Sequence, residues 1–114
     1  MSTNIAARTS HDVCILDVSG KITLGESAAL RSAIRETVKS GQKHILLNMS
    51  GVSYVDSSGI GELISAYASV TGQGGKLKLL NLTEKLSELL AITKLLTVFE
   101  CYRDEREALN SFYG

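Results

Sequence analysis

The residues with the strongest chemical potential lie in one short run, Val55-Asp56-Ser57-Ser58-Gly59-Ile60-Gly61. An apolar stretch precedes it, and Ile60, Leu63, Ile64 and Tyr67 follow at the i, i+3, i+4, i+7 spacing of a helix stripe. The run therefore joins a strand to a helix that begins at Ser57 or Ser58, where the first N–H groups point outward unpaired. Asp and Ser are favoured N-caps, and an acid at this end is stabilised by the helix dipole. Asp-Ser-Ser-Gly is thus first of all a helix start. Two adjacent hydroxyls exceed what capping needs, however. Gly59 and Gly61 stand in the first turn, where glycine costs about 1 kcal/mol relative to alanine. Loss of side-chain bulk suits close approach by another surface. No Lys or Arg occurs between Lys43 and Lys76, whereas Asp56 and Glu62 do. A phosphate on either serine would find helix N–H groups but no cation nearby in sequence.

Other chemistries are poorly represented. Ser57 and Ser58 follow Val55-Asp56 rather than the glycine of a hydrolase nucleophile elbow. Gly59-Ile60-Gly61 lacks the third glycine of a dinucleotide fingerprint, because Ile64 stands there. The Gly72–Lys76 stretch continues into Leu77 and lacks the Lys-Ser/Thr of a phosphate-binding loop. His11 and His44 are the two histidines, one in a turn and one at a strand start. No cluster has the spacing of three or four metal ligands. The expectation is a binding protein without metal or cofactor, not an enzyme.

Strands and helices must position the serine run, and the apolar period alternates accordingly. Asn4–Arg8 and Val13–Ser19 read as strands joined by a Ser10-His11-Asp12 turn, with Gly20 ending the second. Leu30, Ala33, Ile34, Thr37 and Val38 mark a helix over Ser27–Lys39, stopped by Gly41. His44–Met49 is a short apolar strand, and Gly72-Gln73-Gly74-Gly75 closes the helix that Ser57 or Ser58 opens. Lys76–Leu82 reads as a strand, and Thr83 caps a helix carrying Leu86, Leu89 and Leu90. Leu96–Tyr102 is β-rich, and Asp104 with Glu107 forms a capping box ahead of Ala108, Leu109 and Phe112. The order β-β-α-β-α-β-α-β-α predicts an α/β fold: about five strands, an antiparallel N-terminal hairpin edge with the rest largely parallel, and about four helices.

Composition sets the outer bounds. The 114 residues carry 12 Lys+Arg against 12 Asp+Glu, with 44% hydrophobic residues, ten glycines and no proline. That length suits one domain over 1–114 with a single real core. The apolar content argues against disorder, and zero net charge argues against direct nucleic-acid binding. No apolar run approaches the roughly 20 residues of a membrane span, and no signal peptide is visible. Cys14 and Cys101 are isolated in apolar segments and read as buried free thiols. A cytoplasmic location is expected.

Val55-Asp56-Ser57-Ser58-Gly59-Ile60-Gly61, following a strand and opening a helix, resembles the signature of bacterial anti-sigma factor antagonists of the STAS domain family. The likeness runs through the hairpin with Gly20, the His44–Met49 strand, Gly74-Gly75 and Glu107-Ala108-Leu109, in family order. It implies a STAS-like fold and a phosphoprotein that regulates transcription by signal transduction. Unphosphorylated, such a protein captures an anti-sigma factor of the serine-kinase type and frees the sigma factor. The kinase phosphorylates the first hydroxyl residue after the motif's aspartate, here Ser57, with Ser58 the second choice. A serine phosphatase reverses the modification. Asp56, Ser57, Ser58, Gly59, Gly61, Glu62 and Ser65 would form the partner-binding surface, with Thr23 from the segment after the second strand. Many antagonists carry an acid where Gly20-Lys21-Ile22-Thr23 has its threonine.

Gly61, Ser65, Ala68 and Gly72 form a small-residue stripe on the serine helix. It suits either close packing inside the chain or a flat surface for a partner helix. Other roles open to the family are a scaffold in a stress-signalling assembly and an accessory subunit of a transport complex. A Ser57-based enzyme or a nucleotide-binding module would need a general base or a complete phosphate loop, neither of which is readable.

Overall fold

The computed structural model describes residues 3–23, 25 and 27–113. Their order is β1 (Asn4–Ser10), β2 (Val13–Ile22), α1 (Ala28–Lys39), β3 (His44–Val55), α2 (Ser57–Gly72), β4 (Lys76–Leu80), α3 (Glu84–Ile92), β5 (Cys101–Tyr102) and α4 (Glu105–Ser111). The strands form one sheet in sequence order, β1-β2-β3-β4-β5. β1 and β2 are antiparallel, and every later pair is parallel. The expected α/β class, element order and mixed sheet are all present.

The opening hairpin turns on His11 and Asp12, both at positive φ (52° and 62°). This is the left-handed backbone that a two-residue hairpin loop requires. Ser10 pairs with Val13 directly across it. Gly20 does not end the second strand as its glycine suggested. It sits at φ 92° inside β2, which runs on to Ile22. β2 and β3 change register between Asp17 and Ser19 and again between Gly20 and Lys21. These bulges keep a glycine-containing strand paired where periodicity alone signals a stop.

β3 likewise continues past Met49 to Val55. Its pairing with β4 ends at Asn48, whereas its pairing with β2 reaches Val55 opposite Ile22. The last part of β3 is thus a two-stranded overhang shared with β2. Gly51 makes the overhang possible, because a Cβ there would lie 2.8 Å from the Ser19 Cβ. At the far edge, β5 comprises only Cys101–Tyr102, not the expected Leu96–Tyr102. Residues 96–99 turn instead of extending, and they bring Phe99 into the core against Tyr67, ring centroids 5.3 Å apart. Cys14 is buried as expected, but Cys101 is exposed on this short strand. β4 stops at Leu80, because Asn81 takes a positive φ of 56°.

The main core lies between the sheet and α1, α2 and α3. Leu16, Leu47 and Leu79 meet Leu30, Ile34, Leu63, Leu86 and Leu90 there, all buried. A smaller core on the other face joins Val13, Ile15, Leu46 and Leu80 to Ala108, Leu109 and Phe112 of α4. Alternation along β2, Ile15 to one side and Leu16 to the other, divides the two. Two cations clamp α4 over the smaller core. Arg8 donates to Asp17 at 2.7 Å and to Glu105 at 2.6 Å, at the helix's first turn. Lys78, only 4% exposed, donates to the carbonyl and hydroxyl of Ser111 at 3.1 and 3.0 Å. Its ammonium also lies 4.8 Å from the Phe112 ring centroid. A cation at the negative end of a helix satisfies the last carbonyls and the dipole together. His44 stacks beside the same helix, 5.2 Å from Phe112, and burial holds its pKa below the usual histidine value.

Lys78→Met keeps the buried stem and removes the ammonium. It is expected to lower stability by about 1–3 kcal/mol, the scale of a lost charge-assisted hydrogen bond. Urea denaturation checks the size, and faster amide exchange confined to Glu105–Ser111 checks the place.

Candidate functional site

Val55 closes the overhang, Asp56 turns out of it, and α2 begins at Ser57. The Asp56 N–H donates to the Ile22 carbonyl at 3.3 Å, tying the turn to the end of β2. Its carboxylate accepts from the Gly59 N–H at 3.0 Å, the N-cap geometry expected of an acid here. Ser57 is exposed and Ser58 half-buried. The first hydroxyl after the aspartate is therefore the more open of the two. Thr23, also half-buried, directly follows Ile22 and so lies beside this turn.

The two glycines of the first turn have different causes. A Cβ on Gly59 would fall 2.4 Å from the Ile22 carbonyl oxygen and 2.7 Å from Val55 Cγ1. Gly59 is buried, and its lack of a side chain serves packing inside the chain. A Cβ on Gly61 would meet nothing within 4 Å. Gly61 is exposed, so no fold requirement of this kind accounts for it.

The small-residue stripe also faces outward. Gly61, Ser65, Ala68 and Gly72 are all exposed, so the close-packing alternative does not hold. Ile64, expected in the core stripe, is 42% exposed beside them. The buried face of α2 is instead formed by Ile60, Leu63, Ala66 and Val70. This rotates the core stripe away from Ile64 and leaves an apolar side chain standing among small ones, one helical face on from Ser57. Tyr54, 46% exposed at the end of the overhang, adds a second apolar group near the turn.

Glu62 behaves differently from the expectation of an open acid. It is 8% exposed, and Arg31 of α1 donates to both of its carboxylate oxygens, at 2.9 and 2.7 Å. That fork, with the Ser27 hydroxyl assisting, holds the Glu62 carboxyl below the usual range, against the opposing effect of burial. The run that is purely acidic in sequence therefore has a cation beside it in space. Sequence reasoning missed Arg31 because it is a whole helix and strand away. Its signal was the Arg31 and Arg35 pair at i, i+4 on the helix before. Both arginines line a groove between α1 and α2 with Ser65 and Ser69. A separate concavity of about 860 Å³ at the ends of β4 and β5 contains none of these residues. Among the described residues, no three His, Cys, Asp or Glu side chains converge as metal ligands, and no helix is long and apolar enough to cross a membrane.

Gly59→Ala is expected to destabilise by about 1–3 kcal/mol, since backbone and a core side chain would have to shift. Gly61→Ala is expected to stabilise by about 1 kcal/mol through helix propensity alone. Urea titrations of the two variants measure the opposite signs. Glu62 has a depressed pKa in the folded state. Its contribution is present above the unfolded glutamate pKa, about 4.3, and is lost as pH falls below it. Stability measured between about pH 6 and pH 3 should therefore fall less steeply in Glu62→Gln than in the parent chain.

The STAS domain profile matches residues 4–108. Among named relatives, the chain is 29% identical over 100 residues to the anti-sigma-B factor antagonist of Bacillus subtilis, covering 88% of this chain and 91% of that one. A crystal structure of an anti-sigma factor antagonist from Mycobacterium paratuberculosis superposes with a TM-score of 0.88 at 21% identity, covering 99% and 96% of the two chains. The Bacillus cell fate determinant SpoIIAA in its phosphorylated form has the same fold, with a TM-score of 0.73 at 18% identity and coverage of 95% and 98%. With the serine turn, the capped helix and the five-stranded mixed sheet in place, the chain belongs to the STAS domain family.

Proposed function

We propose that this protein is an anti-sigma factor antagonist switched by phosphorylation of Ser57. Unphosphorylated, it binds an anti-sigma factor that is also a serine kinase, through the surface around Asp56, Ser57, Ser58, Gly61 and Ser65, with Thr23 at its border. Phosphorylation ends that binding, and a serine phosphatase restores it. One observation carries the reading: Ser57 is the exposed first residue of a capped helix, at the head of an outward face of small residues and Ile64. The relative named anti-sigma-B factor antagonist supports it.

The physics of the switch is local. A phosphate adds about −1.5 to −2 charge and three acceptor oxygens. At the start of α2 the helix dipole and first-turn N–H groups favour that anion, so the fold itself tolerates it. Because Arg31 already balances Glu62, the modification would turn a nearly neutral surface strongly negative. The cost falls on the partner, which would have to desolvate a dianion against an apolar, close-fitting face. Gly59 keeps α2 seated on β2 throughout, which leaves Gly61 free to serve contact.

Incubation with ATP and the cognate kinase is expected to add about 80 Da, one phosphate, located at Ser57 and absent in Ser57→Ala. Affinity for the anti-sigma factor should then fall by roughly tenfold or more, about 1.4 kcal/mol per decade, with the circular dichroism spectrum unchanged. Phosphate found on Ser58 would move the site. Labelling by ATP without a kinase would overturn the reading in favour of an enzyme.

A further inference from the structure

We propose that β1 is a homodimerisation edge, pairing antiparallel with β1 of a second copy about a two-fold axis at Ala7. The sheet has two edges of unequal character. β5 offers two residues, whereas β1 offers seven. A long free edge is normally blunted by proline, lysine, a bulge or a cover. The chain has no proline, β1 contains no lysine, and both register shifts lie between β2 and β3. The one charge on β1, Arg8, is drawn back over the sheet to Asp17 and Glu105. No other described strand pairs with the outer side of β1.

The hairpin register decides which backbone groups are free. Ser10 faces Val13 across the two-residue turn, so Ser10, Arg8, Ala6 and Asn4 exchange hydrogen bonds with β2. The N–H and C=O groups of Thr9, Ala7 and Ile5 then point away from the sheet. These three residues are symmetric about Ala7. An antiparallel partner centred there sets Ala7 against Ala7, and Ile5 against Thr9 on both sides, so every outward group of the three finds its complement. On the opposite face Arg8 would lie across from Ala6, so no like charges meet. The smallest side chains sit at the axis, where the strands cross.

The flank of the edge fits the same occupant. Ile5, Ala7 and Thr9 project toward α1 and line a groove of about 590 Å³ with Leu16, Ala29 and Ala33. The two-fold axis would bring the second copy's α1 alongside, with Ala29, Ser32 and Ala33 of each copy facing one another and Glu36 farther along the same groove, and join the two grooves under both helices. Zero net charge removes the long-range repulsion that would oppose self-association. The edge is separated from α2 by β2 and α1, so both Ser57 sites of the pair remain open. A closed two-fold contact of this kind uses the same patch twice and stops at two copies.

Sedimentation velocity from about 10 µM to about 1 mM covers the range of a weak interface of modest area. A dimer that grows with concentration is expected. Ala7→Pro should be monomeric throughout, yet keep its circular dichroism spectrum and melting temperature, because the Ala7 N–H takes no part in the hairpin. Ala7→Lys, which sets two ammonium groups at the axis, should also be monomeric and decides the matter if the proline variant unfolds. In amide exchange, dimerisation should slow Ile5, Ala7 and Thr9 while leaving Ala6 and Arg8 unchanged. A wild-type monomer at the highest concentration would overturn the proposal. So would a dimer that survives both substitutions, or an edge that binds only an unrelated extended peptide.

Discussion

The seat of α2 on the end of β2 is the contact on which the functional surface depends. The Asp56 N–H reaches the Ile22 carbonyl, and Gly59 lies so close to the same oxygen that a single methyl group would force them apart. That closeness fixes the first turn of α2 at the tip of the β2–β3 overhang. It also explains why β2 and β3 carry bulges: without the extra residues in β3, Val55 would not arrive opposite Ile22. Everything exposed at the turn, from Tyr54 to Ser65, inherits its position from this one backbone approach.

Charge is handled by pairing rather than by exclusion. Buried Glu62 pairs with the exposed Arg31, buried Lys78 with the exposed Glu100 and the end of α4, and Arg8 bridges two acids. Exposed pairs of this sort add little stability singly. Their value here is geometric, since each joins elements distant in the chain. The Arg31–Glu62 pair is the instructive one. It holds α1 to α2 beside the serine turn and leaves Asp56, already engaged as the N-cap, as the acid next to Ser57.

The element order, the antiparallel edge and the serine turn were legible because each depends on local pattern. Asp56, Thr83 and Asp104 all cap helices as their types and spacing suggest. Boundaries were misread where tertiary pairing overrides a local signal. Gly20 reads as a stop but stays paired with Val52 beside a bulge in β3, and the strand expected to end at Met49 runs on to Val55 because β2 supplies its partners. Thr97-Val98-Phe99 reads as strand but folds back to bury Phe99 against Tyr67. At the site, Ile64 fits the helical period equally well inside or outside, and only the seat of Gly59 sets the rotation of α2 that exposes it. Arg31 was harder to place for a simpler reason: the Arg31 and Arg35 spacing marks a basic helix face but not the distant acid that it meets.

The clamp on α4 has a consequence for how the chain is made. Arg8 and Glu105 are 97 residues apart, and the smaller core has no cover until α4 arrives. During synthesis the face carrying Val13, Ile15 and Leu46 must wait, apolar and open, until α4 has emerged from the ribosome. The opposite face can begin closing as soon as α1 and α2 emerge. The newborn protein is therefore two-sided in time as well as in space, with its last short helix setting the moment at which the sheet ceases to be sticky.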